Sequence, residues 1–148
     1  MASDANAPII EEFRANDGRV GGYFENQSLL LLHTTGAKSG KERISPVVYF
    51  RDGARLLVAG TKNGAPTHPD WYHNIVANPA VTIEIGTDTV QARAVALAEP
   101  ERTSRWDEIV RQQPGFGDYV QMTARVIPVV ALERINGDNG AGGFEVDR

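Results

Sequence analysis

The chain has 148 residues, of which 41% are hydrophobic, so we expect one domain with a substantial core. It contains no cysteine, which excludes disulfides, a thiol nucleophile, an iron–sulfur cluster and a cysteine zinc site. The formal net charge of −4 lacks the overall basic character of nucleic-acid-binding proteins, so we expect no nucleic acid partner, and any anion site must be a local cluster of cations.

The first residues, MASDANAPIIEEF, lack the basic segment and the apolar run of a secretion signal. No stretch approaches the roughly 18 apolar residues that a membrane span requires, so a cytoplasmic protein is expected. Pro8 to about Phe13 is predicted to form an amphipathic helix within an N-terminal extension, residues 1–19. The sequence leaves open a peripheral membrane contact through this helix, and also the choice between monomer and homodimer.

The next segments have the pattern of β-strands. Ser28 to Thr34 is a short apolar run bounded by turn-forming residues, which predicts a strand buried on both faces. Ile44 to Arg51 and Arg55 to Gly60 flank Asp52-Gly53, a strong hairpin signal because glycine tolerates the positive φ of a tight turn.

The second half alternates helices and strands. In chain order we predict a helix with Thr67 as N-cap that stops at Asn78-Pro79, strands over Val81 to Ile85 and Thr89 to Ala98, a helix over Pro100 to Gln113, and a strand over Val126 to Leu132. Residues 136–148 are rich in glycine and polar residues, which predicts a flexible C-terminal tail.

These elements together predict an α+β fold. About six short strands, joined by hairpins and interrupted by two to four helices, favour a small antiparallel barrel over a doubly wound parallel sheet. The barrel domain is expected to span residues 20–135.

A basic loop lies between two of the predicted strands. The segment TTGAKSGKER combines two glycines, three hydroxyls and three cations, which suits a backbone nest that holds a phosphate. It is not a Walker A loop, because the G-x-x-x-x-G-K-[ST] spacing is missing and a strand follows instead of a helix. The alternative, a long solvated hairpin loop, stays open on composition alone.

Other segments give weaker signals. Gly60 to Pro66 connects a buried strand to a helix, either as a plain connector or with its backbone against a planar ring. His68 and His73 would lie about 140° apart on a helix, unlike the i, i+4 pair of a zinc site, so no metal is expected. Phe116 and Tyr119 occupy a predicted loop. There the Tyr119 phenol either orients a carbonyl or donates a proton, or its ring is only a hydrophobic plug.

Three segments taken together resemble the deazaflavin-dependent nitroreductase family: TTGAKSGKERISPVVYF, LLVAGTKNGAPTHPDWYHNIVANPAVTIEIG and GFGDYVQMTARVIPVVALE. The resemblance covers about Val20 to Arg134. It implies a split β-barrel similar to those that bind flavin mononucleotide (FMN), and it implies coenzyme F420, an 8-hydroxy-5-deazaflavin. FMN on the same barrel is the alternative cofactor, and a non-catalytic deazaflavin carrier is the alternative function.

The resemblance also implies site residues. The coenzyme's phosphate and acidic tail would be held by Lys38, Ser39, Lys41 and Arg43. The deazaflavin ring would be flanked by Ala59, Gly60, Thr61 and Lys62, and the pocket closed by Pro66, Trp71, Tyr72 and Asn74.

The implied reaction is hydride transfer to an electron-poor small molecule, namely a quinone, an activated enone or a nitro compound. Tyr119 matches one of a cluster of substrate-side tyrosines, and it is the candidate catalytic residue. Phe116 and Met122 occupy neighbouring substrate-side positions, which makes reduction of bulky nitroimidazoles less expected.

Overall fold

The computed structural model of the chain describes residues 6–24 and 27–135, without the Tyr23 side chain. The α-helices are α1 (Ala7–Ala15), α2 (Asp70–Ala77) and α3 (Glu101–Gln112). The strands are β1 (Leu29–Thr35), β2 (Glu42–Val48), β3 (Phe50–Asp52), β4 (Arg55–Ala59), β5 (Ala80–Ile85), β6 (Asp88–Ala96) and β7 (Val129–Arg134). Short 3₁₀-helices cover Gly22–Phe24, Lys62–Gly64 and Pro114–Gln121. The expected C-terminal tail, residues 136–148, lies outside the described residues.

The strands form one antiparallel sheet in the order β2-β1-β5-β6-β7-β4-β3. β2 and β3 stand at opposite ends of this order, yet only Tyr49 separates them in the chain. The sheet therefore curls until its two ends meet. The expected α+β antiparallel barrel is confirmed, and it has seven strands instead of about six because the predicted strand Ile44 to Arg51 divides at Tyr49.

Alternating residues of the strands pack on two sides of the curled sheet. In β1, Leu30 and Leu32 face the barrel interior, whereas Leu29 and Leu31 pack against Phe13 of α1. In β4 the same alternation places Leu57 in a cluster with residues of α3. β1 is thus covered on both faces, as its continuous apolar run predicts.

Several predicted boundaries are wrong. Thr67 does not cap α2: Pro69 holds the N-cap position, and the Thr67 hydroxyl oxygen instead accepts a hydrogen bond from Lys62 Nζ at 3.1 Å. A residue before proline is disfavoured in helical conformation, which keeps His68 outside the helix. The strand predicted from Val126 begins only at Val129, after Pro128. The segment of Phe116 and Tyr119, predicted as a loop, is the 3₁₀-helix Pro114–Gln121.

Among the helices in the described ranges, none combines the length and apolar character that crossing a bilayer requires.

Candidate active site

The basic loop between β1 and β2 closes on itself through its backbone. Gly36 N–H donates to the Lys41 carbonyl at 2.8 Å, and Gly40 N–H donates to the Gly36 carbonyl at 3.0 Å. The Ser39 hydroxyl accepts from Lys41 N–H at 3.1 Å. A Cβ on Gly36 would lie 2.6 Å from Ser39 Oγ and 3.2 Å from the Lys41 carbonyl oxygen, so a side chain here would require the loop to shift.

Asn74 of α2 anchors the same loop. Its side chain is buried; Oδ1 accepts from Ala37 N–H at 2.9 Å, and Nδ2 donates to Thr34 Oγ1 at 3.1 Å. One amide thus fixes the end of β1 and the start of the loop to α2. The backbone that carries the cations of the loop is therefore held in place.

A cavity of about 710 Å³ lies between this loop and α2, and we call it the cationic cavity. Lys38 and Arg43 supply its positive charge, and Asp70 is the one carboxylate among its lining residues. The full lining is Asn6, Gly36, Ala37, Lys38, Ser39, Arg43, Ile44, Ser45, Asp70, Trp71, His73 and Asn74.

A second cavity has a volume of about 360 Å³, and Trp71 lines it as well as the first. We call it the aromatic cavity. Phe24, Trp71, Phe116 and Tyr119 give it four aromatic side chains. The other lining residues are Gln27, Pro46, Val47, Val48, Ala59, Thr61, Lys62, Asn63, Pro69, Gln113 and Gly115. Because Trp71 lines both cavities, the two cavities are adjacent.

The edge of the aromatic cavity includes an unusual backbone turn after β4. Lys62, Asn63 and Gly64 have φ values of 46°, 55° and 79°, so three consecutive residues are left-handed. Two of them carry a Cβ, which makes this conformation costly. Gly60, just before the turn, has no room for a side chain, since a Cβ there would lie 2.8 Å from Pro128 Cγ.

His68 lies beside this turn and has a perturbed pKa. Its Nδ1 is 2.9 Å from the Arg125 guanidinium, an N–H donor, so the imidazole nitrogen is the acceptor. Burial lowers the pKa of His68, and the positive charge of Arg125 and the neighbouring His73 lower it further. The neutral imidazole is therefore favoured.

The predicted wide separation of His68 and His73 is wrong. Because His68 precedes α2, the two rings approach to 5.8 Å between centroids. Over residues 6–24 and 27–135, no group of three metal-ligating side chains is found.

The structure brings most of the predicted site residues together. Lys38, Ser39, Arg43, Trp71 and Asn74 line the cationic cavity. Those that line the aromatic cavity are Ala59, Thr61, Lys62, Trp71, Phe116 and Tyr119.

Five other predicted residues line neither cavity: Lys41, Gly60, Pro66, Tyr72 and Met122. Lys41 and Gly60 act through their backbones, in the loop closure and beside Pro128. Tyr72 packs against the barrel core and His68. Met122 is 60% exposed and lies over Gly64: a Cβ added to Gly64 would lie 2.6 Å from the Met122 Cβ.

Sequence reasoning missed part of the lining and one organising cation. Pro46, Val47 and Gln113 line the aromatic cavity, but their residue types carry no functional signal. Arg125 lies beside the left-handed turn and donates to three backbone carbonyls of residues 60–65. An arginine just before a predicted apolar strand was the only hint.

Comparison with known proteins identifies what the chain resembles. The family described as F420H(2)-dependent quinone reductase matches residues 9–134. An F420H(2)-dependent quinone reductase of Mycobacterium tuberculosis is 39% identical over 127 residues, which cover 82% of this chain and 85% of that protein.

Solved structures agree with this similarity. A structure described as an F420-H2 dependent reductase is 34% identical, with a TM-score of 0.65, covering 76% of this chain and 99% of that one. Another, described as a domain-swapped dimer, is 32% identical with a TM-score of 0.66, covering 86% and 94%. A haem storage protein of Vibrio cholerae shares the fold alone, at 16% identity and a TM-score of 0.57 over 88% of this chain and 91% of that one.

Replacing Asn74 tests its anchoring of the basic loop. Asn74→Ala leaves the Ala37 N–H and the Thr34 hydroxyl without this partner, so we expect the free energy of unfolding to fall by about 1–3 kcal/mol. Asn78→Ala is the control: Asn78 lies one turn later, and its Nδ2 makes an exposed contact of 3.4 Å with the Thr35 carbonyl. We expect a change below about 0.5 kcal/mol for the control in urea unfolding. Equal losses in both variants would contradict the anchoring role.

The lowered pKa of His68 predicts a dependence of stability on pH. The unfolded chain takes up the proton near the ordinary pKa of about 6.5, whereas the folded protein takes it up only at lower pH. The stability contribution of His68 is therefore present above about pH 6.5 and is lost as the pH falls through the folded pKa. His68→Gln keeps an acceptor for Arg125 but does not titrate. We expect the melting temperature of wild type minus that of His68→Gln to decrease as the pH is lowered from about 8 to about 5. A difference that does not change with pH would contradict the prediction.

Proposed function

Because this chain belongs to the F420H(2)-dependent quinone reductase family, we propose that it transfers a hydride from reduced coenzyme F420 to a quinone. The observation that carries the proposal is the meeting of the cationic and aromatic cavities at Trp71. The family match confirms the resemblance to deazaflavin-dependent enzymes, and FMN is not needed as the cofactor.

The chemistry of the two cavities fits the two ends of the coenzyme. Lys38 and Arg43 line the cationic cavity, where they favour a phosphate and an acidic tail. The aromatic cavity combines four aromatic side chains with apolar residues such as Val47 and Val48, which suits a planar ring. Trp71 lines both cavities, so in this proposal it would contact the coenzyme between its ring and its charged end.

The protein's contribution to the reaction is binding, orientation and exclusion of water. When bound, the reduced deazaflavin supplies the hydride. Thr61, Lys62 and Asn63 form one edge of the aromatic cavity, and Phe116 and Tyr119 contribute a wall from the 3₁₀-helix. A rigid, partly apolar cavity holds two reactants close together, which removes much of the entropic barrier to their reaction.

Tyr119 supports the second half of the reaction in this proposal. A quinone that has accepted a hydride becomes a hydroquinone anion, which needs one proton. The Tyr119 hydroxyl, or water, supplies it. The Tyr119 ring is held by Phe116 in an edge-to-face contact with centroids 5.5 Å apart, and Phe116 in turn packs against Phe50 at 5.2 Å.

Acceptor choice follows from the same wall. Phe116 lines the aromatic cavity, and its packing against the cluster under α3 holds it there, so it would limit the width of an acceptor. This supports quinones over bulky nitroimidazoles as acceptors.

Parallel titrations test the proposed function. The protein is titrated with reduced coenzyme F420 and with FMN, and menadione is then added while the absorbance of the oxidised coenzyme is followed. We expect binding of the deazaflavin and its menadione-dependent oxidation. Tight binding without oxidation would indicate a carrier, and preferential binding of FMN would indicate a conventional flavoprotein; either result would refute the proposal.

Lys38→Ala tests the assignment of the cationic cavity. A charge-assisted contact contributes about 1.5–3 kcal/mol, so we expect coenzyme affinity to fall about tenfold or more, and to fall in wild type as salt rises. Lys41→Ala should have a smaller effect, because Lys41 does not line the cavity. Arg93→Ala, an exposed cation on β6, is the charge-matched control. Affinity that is unchanged both in Lys38→Ala and by raised salt, measured by fluorescence titration, would remove the loop from the site.

Tyr119→Phe separates a hydroxyl role from a packing role. If the hydroxyl orients the acceptor or donates the proton, turnover should fall by ~10- to ~100-fold while coenzyme affinity is unchanged. Stopped-flow oxidation of the bound coenzyme by menadione, at saturating coenzyme, measures this step without binding. A wild-type rate in Tyr119→Phe would make Tyr119 a wall residue and water the proton source.

A further inference from the structure

The turn that borders the aromatic cavity is held in a conformation that its sequence does not favour. Lys62 and Asn63 are left-handed, and each such non-glycine residue costs free energy that the surroundings must offset. The turn's own backbone supplies two hydrogen bonds, from Gly64 N–H to the Thr61 carbonyl and from Ala65 N–H to the Lys62 carbonyl. Something beyond the turn must also hold its ends.

Arg125 contacts both ends of this turn. Its Nη1 donates to the Gly60 carbonyl at 2.9 Å and its Nη2 donates to the Thr61 carbonyl at 2.7 Å, on the entering side. Its Nε donates to the Ala65 carbonyl at 2.9 Å, on the leaving side. One planar group thus spans the turn and fixes the distance between its ends.

The fourth contact of Arg125 extends this frame to α2. Nη1 also donates to His68 Nδ1 at 2.9 Å, and the His68 ring packs on Tyr72 of α2, with centroids 4.9 Å apart. The turn, the segment before α2 and α2 itself are therefore linked through one guanidinium. Trp71, which separates the two cavities, lies on the same helix.

We propose that Arg125 is a positioning residue for hydride transfer: by clamping both ends of the left-handed turn, it sets where Thr61, Lys62 and Asn63 meet the coenzyme ring. This inference rests on the proposed function. Arg125 does not line either cavity, so it acts through the turn and not by contact with a reactant.

The side-chain chemistry makes the role specific to arginine. Three carbonyls and an imidazole are served by a planar group with five N–H donors in fixed directions. A lysine ammonium keeps the charge but has three donors that radiate from one atom, so it cannot span both ends of the turn. Arg125→Lys therefore loosens the turn while it preserves net charge.

The chain offers a matched control. Arg102 is also partly buried, and its Nη1 donates to the Ile127 carbonyl at 2.9 Å. Ile127 lies two residues after Arg125 in the chain. Its other contacts are with Glu99 and Thr103, away from both cavities. Arg102→Lys reports the cost of losing an arginine–carbonyl contact that does not hold the turn.

The experiment compares wild type, Arg125→Lys and Arg102→Lys in three measurements. Amide hydrogen exchange of residues 61–65 is followed in the coenzyme-free protein, coenzyme affinity is titrated, and the rate of coenzyme oxidation by menadione is measured at saturating coenzyme. For Arg125→Lys we expect exchange in the turn to rise by about tenfold, the factor for one ordinary hydrogen bond. We also expect the oxidation rate at saturating coenzyme to fall by about tenfold or more. The coenzyme affinity should change less, because in this proposal contacts to the phosphate contribute most of it.

Two results would overturn the inference. In the first, Arg125→Lys exchanges the amides of the turn no faster than Arg102→Lys does. In the second, Arg125→Lys exchanges them faster but oxidises the coenzyme at the wild-type rate. If Arg125→Lys does not fold, Arg125→Gln, which keeps a planar amide donor, is measured in the same way. Failure of the proposed function gives a different result, since wild type would then bind the coenzyme without oxidising it. The exchange measurement and the absorbance spectrum of the bound coenzyme would in that case still decide whether Arg125 positions the turn.

Discussion

The whole architecture depends on one closure: the strands at the two ends of the sheet are neighbours in the chain. A single residue, Tyr49, spans only about 3.4 Å, so the ends of β2 and β3 must meet and the sheet must curl. The Tyr49 N–H donates to the Ser28 carbonyl at 2.9 Å, which keeps this residue on the β1 side before the chain crosses to β4. Curling brings the loop after β1 and the turn after β4 to opposite sides of Trp71 on α2, where two otherwise distant segments share one site.

Within that frame, backbone hydrogen bonds hold the binding surfaces more than side-chain ion pairs do. The basic loop is closed by its own amides and fixed by Asn74, and the turn after β4 is fixed by Arg125. Within the described residues, the Lys38 and Arg43 side chains line the cationic cavity and take no part in these loop-closing hydrogen bonds. Two cations, Lys38 and Arg43, line one cavity, and four aromatic side chains together with one cation, Lys62, line the other.

Local pattern was enough to predict the parts of the fold that local physics determines. The Asp52-Gly53 hairpin and the doubly buried β1 follow from turn chemistry and from a continuous apolar run. The break at Tyr49, the 3₁₀-helix around Tyr119 and the N-cap at Pro69 depend on tertiary closure or on competition between neighbouring residues, which a window of sequence does not contain. For the site, composition alone indicated the loop cations. The segment from Gly60 to Pro66 and the pair Phe116 and Tyr119 gave weaker signals with open alternatives, and the family resemblance was needed to assign them to a site. Arg125 was missed because its partners, Gly60 to Ala65, lie about sixty positions earlier in the chain.

The place of Trp71 has a practical consequence. The chain has two tryptophans, and Trp106 lies in the separate cluster under α3, whereas Trp71 touches both cavities. Indole emission is sensitive to nearby chromophores and to polarity, so Trp71 is a built-in optical probe of both cavities. Trp106 adds a second signal, because its ring centroid lies 6.5 Å from that of Phe116, which lines the aromatic cavity. With Trp106 replaced by phenylalanine, emission from Trp71 would report ligand binding in the cationic cavity and in the aromatic cavity in real time, without any attached dye.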